Sequence, residues 1–223
     1  MEKEFWLERW SRGETPFHQE HVNPYLGYYY GDLGPPLEKR AGFRVFVPLC
    51  GKSRDLWWLQ QSGYDVIGVE CSEVAVTQFF SEQQLGYSKI RNERVVSYRA
   101  HRLEIVQADF FELQADDIGD ISDIFDRASL IAYPEEMRRD YVRKITALQK
   151  PGTRTLLITL TYPENEMQGP PFSVNEDEVR RLYSDNFRIE KLAAKKIIED
   201  EPRFKQRGLT SLTETAYKLT KTT

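Results

Sequence analysis

A chain of 223 residues, 40% hydrophobic and 30% charged, is long enough to bury one full core and too apolar to remain disordered. Its net charge of -4 argues against a surface built to grip nucleic acid or anionic lipid, and Cys50 and Cys71 alone make no disulfide scaffold. No apolar run approaches the ~18 residues of a membrane helix, and the opening MEKEFWLERW is charged throughout rather than signal-like. A single cytoplasmic domain over residues 1–223 is expected, with neither membrane nor nucleic acid as partner.

Phe5, Trp6, Leu7 and Trp10 among charges predict a short amphipathic helix over residues 2–12. A polar and aromatic arm follows, and the breaker cluster GDLGPP (31–36) separates it from the body. FRVFVPL (43–49) predicts a strand ending in the turn CGKS, with Ser53 capping a helix that closes at Gly63. YDVIGVE (64–70) is a second strand and residues 72–84 a second helix. After a polar insertion at 86–101, RLEIVQADF (102–110) is a third strand. A fourth lies within 121–131, then come a helix over 134–149 and a fifth strand over 153–162. A helix over 175–185 and two late strands, FRIEKLAAKKI and ETAYKLT, complete the chain.

Strands alternating with helices imply right-handed βαβ units and a parallel sheet. The expected class is α/β: a three-layer sandwich with a mostly parallel, seven-stranded Rossmann-like sheet and an antiparallel C-terminal edge. In such sheets ligands bind beyond the carboxyl ends of the strands, which directs attention to Leu49–Ser53, Glu70–Ser72, Asp109-Phe110 and Asp126-Arg127.

PLCGKS is no dinucleotide fingerprint, because it has one glycine where G-x-G-x-x-G needs three. Nor is it a P-loop, since the upstream glycine falls at Phe46. Glu70 ends the second strand, where an acid accepts hydrogen bonds from both ribose hydroxyls, the alternative being an acid that stabilises a helix start. Asp109 and Phe110 suit the edge and face of adenine. The pattern predicts an adenosine-containing cofactor, either a nicotinamide dinucleotide or S-adenosylmethionine. The missing glycines disfavour a pyrophosphate, so methyl transfer is the better reading. His18 and His21 lack a third ligand, so no metal is expected.

FWLERW (5–10), FHQ (17–19), VPLCGKSRDLWWL (47–59), GVECSEVAVTQFF (68–80), DFFEL (109–113), FDRASLIAYP (125–134) and PRFKQRGL (202–209) together resemble the thiopurine S-methyltransferase family, in its bacterial form. The resemblance covers essentially the whole chain in order. It implies a class I fold using S-adenosylmethionine, released as S-adenosylhomocysteine. The implied cofactor residues are Trp10, the Leu49 backbone, Glu70, Asp109, Phe110 and Arg127. Phe17, Arg127 and Arg203 are implied on the acceptor side, the two arginines as stabilisers of a thiolate, with residues 1–42 as an arm over the site. No general base is required. The acceptor is a small aromatic thiol or, alternatively, a selenium or tellurium oxyanion in metalloid detoxification. A nicotinamide oxidoreductase and a cofactor-sensing module stay as readings from other classes, and a monomer is expected.

Overall fold

The computed structural model describes residues 3–15, 18–32 and 34–223, in two compact units, Glu2–Phe125 and Asp126–Thr223. In the first, α1 (Lys3–Arg12) turns Trp10 inward. The short α2 (Pro24–Leu26) runs into a π-helical turn over Gly27–Asp32, which buries Tyr29 and Tyr30 and leaves Tyr28 exposed. Asn23 caps α2 by accepting the Tyr25 N–H at 3.0 Å, and its own N–H donates to Asp55 at 2.8 Å. Tyr30 Oη donates to the Ile124 carbonyl at 3.2 Å, and Tyr64 Oη to the Tyr30 carbonyl at 2.6 Å. Asn23, Leu26, Tyr29 and Tyr30 are thereby built into the core of this unit, and the buried Tyr30 and Tyr64 phenols find their partners in the backbone.

The alternation expected from the sequence follows: β1 (Arg44–Val47), α3 (Arg54–Gln61), β2 (Asp65–Glu70) and α4 (Glu73–Glu82). Ser53 and Ser72 accept N–H groups of the first helical turns of α3 and α4, each cap contributing about 0.5–2 kcal/mol. Gly63, at φ 92, supplies the left-handed residue that closes α3. Phe79 and Phe80 on α4 are essentially fully buried, which stabilises by about 1.5–3 kcal/mol for each ring.

Residues 86–101, expected only as an insertion, form a hairpin. Its strands β3 (Ser88–Arg91) and β4 (Val96–Ala100) pair antiparallel with each other, and β4 pairs antiparallel with β5 (Leu103–Gln107). Tyr98 anchors the hairpin: its ring lies 6.4 Å from Phe80 and 5.4 Å from Tyr87. After α5 (Ala115–Ile118) comes β6 (Asp123–Arg127). Hydrogen-bonded order in this unit is β3-β4-β5-β2-β1-β6, with β5, β2, β1 and β6 parallel. The parallel strands are buried along most of their length, as expected where a sheet is covered.

The second unit contains α6 (Glu135–Ala147), β7 (Arg154–Thr161), α7 (Glu176–Tyr183), β8 (Phe187–Lys196), α8 (Pro202–Gln206) and β9 (Thr213–Lys221). β9 lies antiparallel between β7 and β8, the C-terminal edge the sequence predicts. Nine strands are found among the described residues where seven are expected; the difference is the hairpin. Among the described residues no helix is long and apolar enough to cross a membrane.

Candidate active site

β1 ends at Val47, and the chain then makes a strained turn. Leu49 has φ 45 and Gly51 φ 52. For leucine the left-handed region costs on the order of 1–3 kcal/mol, a strain found mostly at functional sites. Gly51 has a separate reason to lack a side chain: a Cβ there meets Trp10 Cζ2 at 3.1 Å. Trp10, only 3% exposed, therefore lies directly against the turn.

Glu70 closes this turn from the neighbouring strand. Its Oε2 accepts the Gly51 N–H at 3.0 Å and its Oε1 accepts the Ser72 N–H at 2.8 Å, while Cys71 Sγ donates to Oε1 at 3.4 Å. The Cys50 N–H donates to the Val69 carbonyl at 2.9 Å, a second tie between the same two loops. Burial pushes the Glu70 carboxyl above its usual range, and the backbone donors at Ser72 and Gly51 work against that rise. An ionised carboxylate has about four acceptor sites; Oε1 already takes two donors, so Oε2 keeps capacity for a hydroxyl donor. The same burial, with the charge of Glu70, raises the Cys50 and Cys71 thiols. Neither is a nucleophile at neutral pH.

Cys71, the residue after Glu70, reaches a cavity of about 370 Å³ that Gln107, Ala108 and Asp109 also line. Asp109 follows β5 and accepts the Phe111 N–H at 2.9 Å through Oδ1. Phe110 is 4% exposed and packs edge-on against Phe111, with ring centroids 5.7 Å apart. It is a buried neighbour of the cavity wall, whereas the sequence reading places its face on adenine. Among the described residues, no three His, Cys, Asp or Glu side chains group as metal ligands.

The structure thus brings Trp10, Leu49, Gly51 and Glu70 together and places Asp109 beside them with Cys71. Phe17 lies outside the described residues. Arg127 and Arg203 belong to the second unit. Arg127 is half-buried at the end of β6, just before Ala128 at φ 66. The preceding Asp126 is fully buried; its Oδ2 accepts Tyr141 Oη at 2.6 Å and its Oδ1 the Leu130 N–H at 3.4 Å. Burial pushes the Asp126 carboxyl up to about 6, against the pull of these donors and of Ser129. Arg203, on α8, pairs with Glu201 at 3.0 Å, and its guanidinium sits 5.0 Å over the Phe204 ring. Sequence reasoning flags the Glu70–Ser72 segment that holds Cys71 but misses Gln107 and the hairpin residues of the cavity, because their side chains converge only after strand pairing.

The residues present fit S-adenosylmethionine. A carboxylate with acceptor capacity left at Oε2 ends β2, a glycine in the preceding turn meets an indole, and the residue after that carboxylate, Cys71, lines a cavity with Asp109. A family model described as Thiopurine S-methyltransferase (TPMT) matches residues 1–222. The chain is 45% identical over 222 residues to a thiopurine S-methyltransferase of Marinobacter nauticus, covering 99% of this chain and 100% of that one. It is 42% identical over 219 residues to one of Nitrosospira multiformis, covering 98% of each. In fold it is similar to the 1,6-didemethyltoxoflavin-N1-methyltransferase of Burkholderia thailandensis, solved with S-adenosylhomocysteine. The TM-score is 0.64 over 99% of this chain and 87% of that one, at 16% identity. With its α/β methyltransferase fold and a match that runs the length of the chain, this protein belongs to the thiopurine S-methyltransferase family of S-adenosylmethionine-dependent enzymes.

Proposed function

We propose that this chain moves a methyl group to the sulfur of a thiopurine or related aromatic thiol by in-line displacement, with Glu70 holding the cofactor's ribose. The observation that carries the reading is the Glu70 carboxylate, stitched to Gly51 and Ser72 beside the cavity. Glu93, Asp109, Glu112 and Asp117 line that cavity against two cations, Lys3 and Arg94. Such an acid surplus repels a phosphate and suits the neutral adenosine of S-adenosylmethionine over a nicotinamide dinucleotide. The thiol acceptor is supported by the names of the relatives in Marinobacter and Nitrosospira.

Bound S-adenosylmethionine supplies a methyl group on a sulfonium, already activated for displacement. The protein's task is then mainly to position and to exclude water, effects worth up to about 7–11 kcal/mol in well-oriented reactions. Asp109 accepts from the amino edge of adenine, with Phe110 supporting it from within. Trp10, with its quadrupole, attracts a nearby cation by about 0.5–2 kcal/mol. The left-handed Leu49 turns its backbone toward the ligand. Arg127 and Arg203 favour the acceptor's thiolate by Coulomb attraction, with Arg127 also serving the cofactor; the family resemblance assigns Phe17 to the acceptor side. Aromatic thiols ionise partly near neutral pH, so no side chain has to remove a proton.

Steady-state kinetics on single variants test this division. Arg203→Ala raises KM for the thiol by about tenfold or more, the loss of one charge-assisted contact, and leaves S-adenosylhomocysteine affinity near wild type. Equal loss of cofactor affinity in Arg203→Ala and Glu70→Ala contradicts the assignment.

A further inference from the structure

Besides Cys71 and Asp109, the cavity is lined by the tip of the β3–β4 hairpin, Glu93–Val95, and by Asp117 of α5. The tip is internally ordered. Asn92 Oδ1 accepts the N–H groups of Arg94 and Val95 at 2.9 and 2.7 Å, and the Asn92 N–H donates to the Val95 carbonyl at 3.1 Å. It is also fastened. Arg94 Nη2 donates to Asp117 Oδ1 at 2.8 Å, while Asp117 Oδ2 accepts the Gln114 N–H at 2.8 Å. The Asp117 side chain is 2% exposed and that of Arg94 55%. One end of this ion pair is therefore fixed inside the segment that follows Asp109, and the other is carried by a projecting hairpin.

We propose that Arg94 is a specificity-determining residue of the cofactor site. Latched onto Asp117, it holds the hairpin tip as the wall that limits what the adenine ring can carry at its amino edge. The inference rests on the assignment of Glu70 and Asp109 to the adenosine. Its physical basis is that β3 is a solvent-exposed edge strand, with all four residues exposed. Val95 is buried at the base of the tip, whereas Asn92, Glu93 and Arg94 are exposed, so the position of this outer part depends on the latch. A pair whose arginine is mostly exposed adds little to global stability, so the latch has its effect on the cavity rather than on the fold.

The test is calorimetric titration of the intact protein with S-adenosylhomocysteine and with its N6-benzyl analogue. Wild type is expected to bind the first and discriminate against the second. Arg94→Ala is expected to weaken S-adenosylhomocysteine by about fivefold, as when a fraction of molecules keeps the closed wall. Discrimination against the benzyl analogue is expected to fall by about tenfold, as steric rejection is relaxed. The melting temperature stays close to wild type, and Arg94→Lys, which keeps the ion pair, retains most of the discrimination. Unchanged affinity and discrimination in Arg94→Ala overturn the proposal, as does equal behaviour of the lysine and alanine variants. If Glu70→Ala loses S-adenosylhomocysteine while Arg94→Ala matches wild type, the latch alone is wrong. If wild type itself fails to bind, the cofactor assignment and the latch fall together.

Discussion

Glu70 and Gly51, 19 residues apart in the chain, meet through a 3.0 Å hydrogen bond from the Gly51 N–H to Glu70 Oε2. That contact joins the end of β2 to the turn after β1, and Oε1 extends the tie to the start of α4. One carboxylate thus orders the loops from which the proposed cofactor contacts come, while Oε2 keeps acceptor capacity for a ligand.

Replacing Glu70 accordingly has two consequences. Glu70→Ala strands the Gly51 and Ser72 N–H groups and destabilises by about 1–3 kcal/mol for each group left unsatisfied. It weakens S-adenosylhomocysteine by about ten- to a hundredfold, the value of one or two hydrogen bonds to a charged group. Urea denaturation and calorimetry on the same preparation separate the two effects.

Gly51→Ala is expected to destabilise by about 1–2 kcal/mol, because φ 52 is a left-handed conformation and its new Cβ meets the Trp10 ring. Trp10→Phe relieves the contact and leaves the backbone strain. The double variant therefore recovers part of the loss, which thermal melts of the four proteins measure.

Asp126 gives stability a pH dependence with a defined sign. Its carboxyl is raised from 3.8 to about 6 by burial, against the opposing hydrogen bonds from Tyr141, Leu130 and Ser129. Between these values the folded state holds a proton that the unfolded state has lost, so this group's stabilisation is complete at low pH and is lost as pH rises toward 6. The difference amounts to about 3 kcal/mol at most. Glu70, also raised, contributes in the same direction. Chemical denaturation from pH 4 to 7 is expected to show the decline, and Asp126→Asn to flatten it whatever its effect at one pH.

Arg138 and Glu178 form a buried pair, with Arg138 Nη1 at 2.7 Å from each carboxylate oxygen and Arg138 Nε donating to the Tyr133 carbonyl at 2.9 Å. Glu178→Gln is expected to destabilise by about 3–5 kcal/mol, since it leaves a buried cation without its counter-charge. The exposed pair Lys195–Asp200 is the control, and Asp200→Asn is expected to leave the urea midpoint unmoved.

The β1–α3–β2–α4 run was legible in the sequence because its signals are local. Apolar strands, Ser53 and Ser72 at helix starts and Gly63 at a helix end all act within a few residues. Glu70 was legible for the same reason, as an acid closing a strand. The hairpin was not, because Ser88–Arg91 is an edge strand whose side chains all face solvent and show no apolar period. The one available signal was the buried run Val95-Val96 followed by Tyr98. Nor do residues 109 and 110 tell from sequence which side chain lines a cavity and which packs beneath it. Phe110 goes inward because Phe111 offers it an aromatic partner, a choice made by packing. The Arg94–Asp117 contact spans 23 residues and exists only once β4 has paired with β5.

The most direct measurement is mass spectrometry of 6-mercaptopurine after incubation with the protein and S-adenosylmethionine carrying a trideuterated methyl group, with wild type and Glu70→Ala compared side by side. The account predicts a labelled S-methyl product with wild type and a large loss with the variant. Transfer that is undiminished in Glu70→Ala, or wild-type protein that binds the cofactor yet leaves the thiopurine sulfur unlabelled, contradicts it.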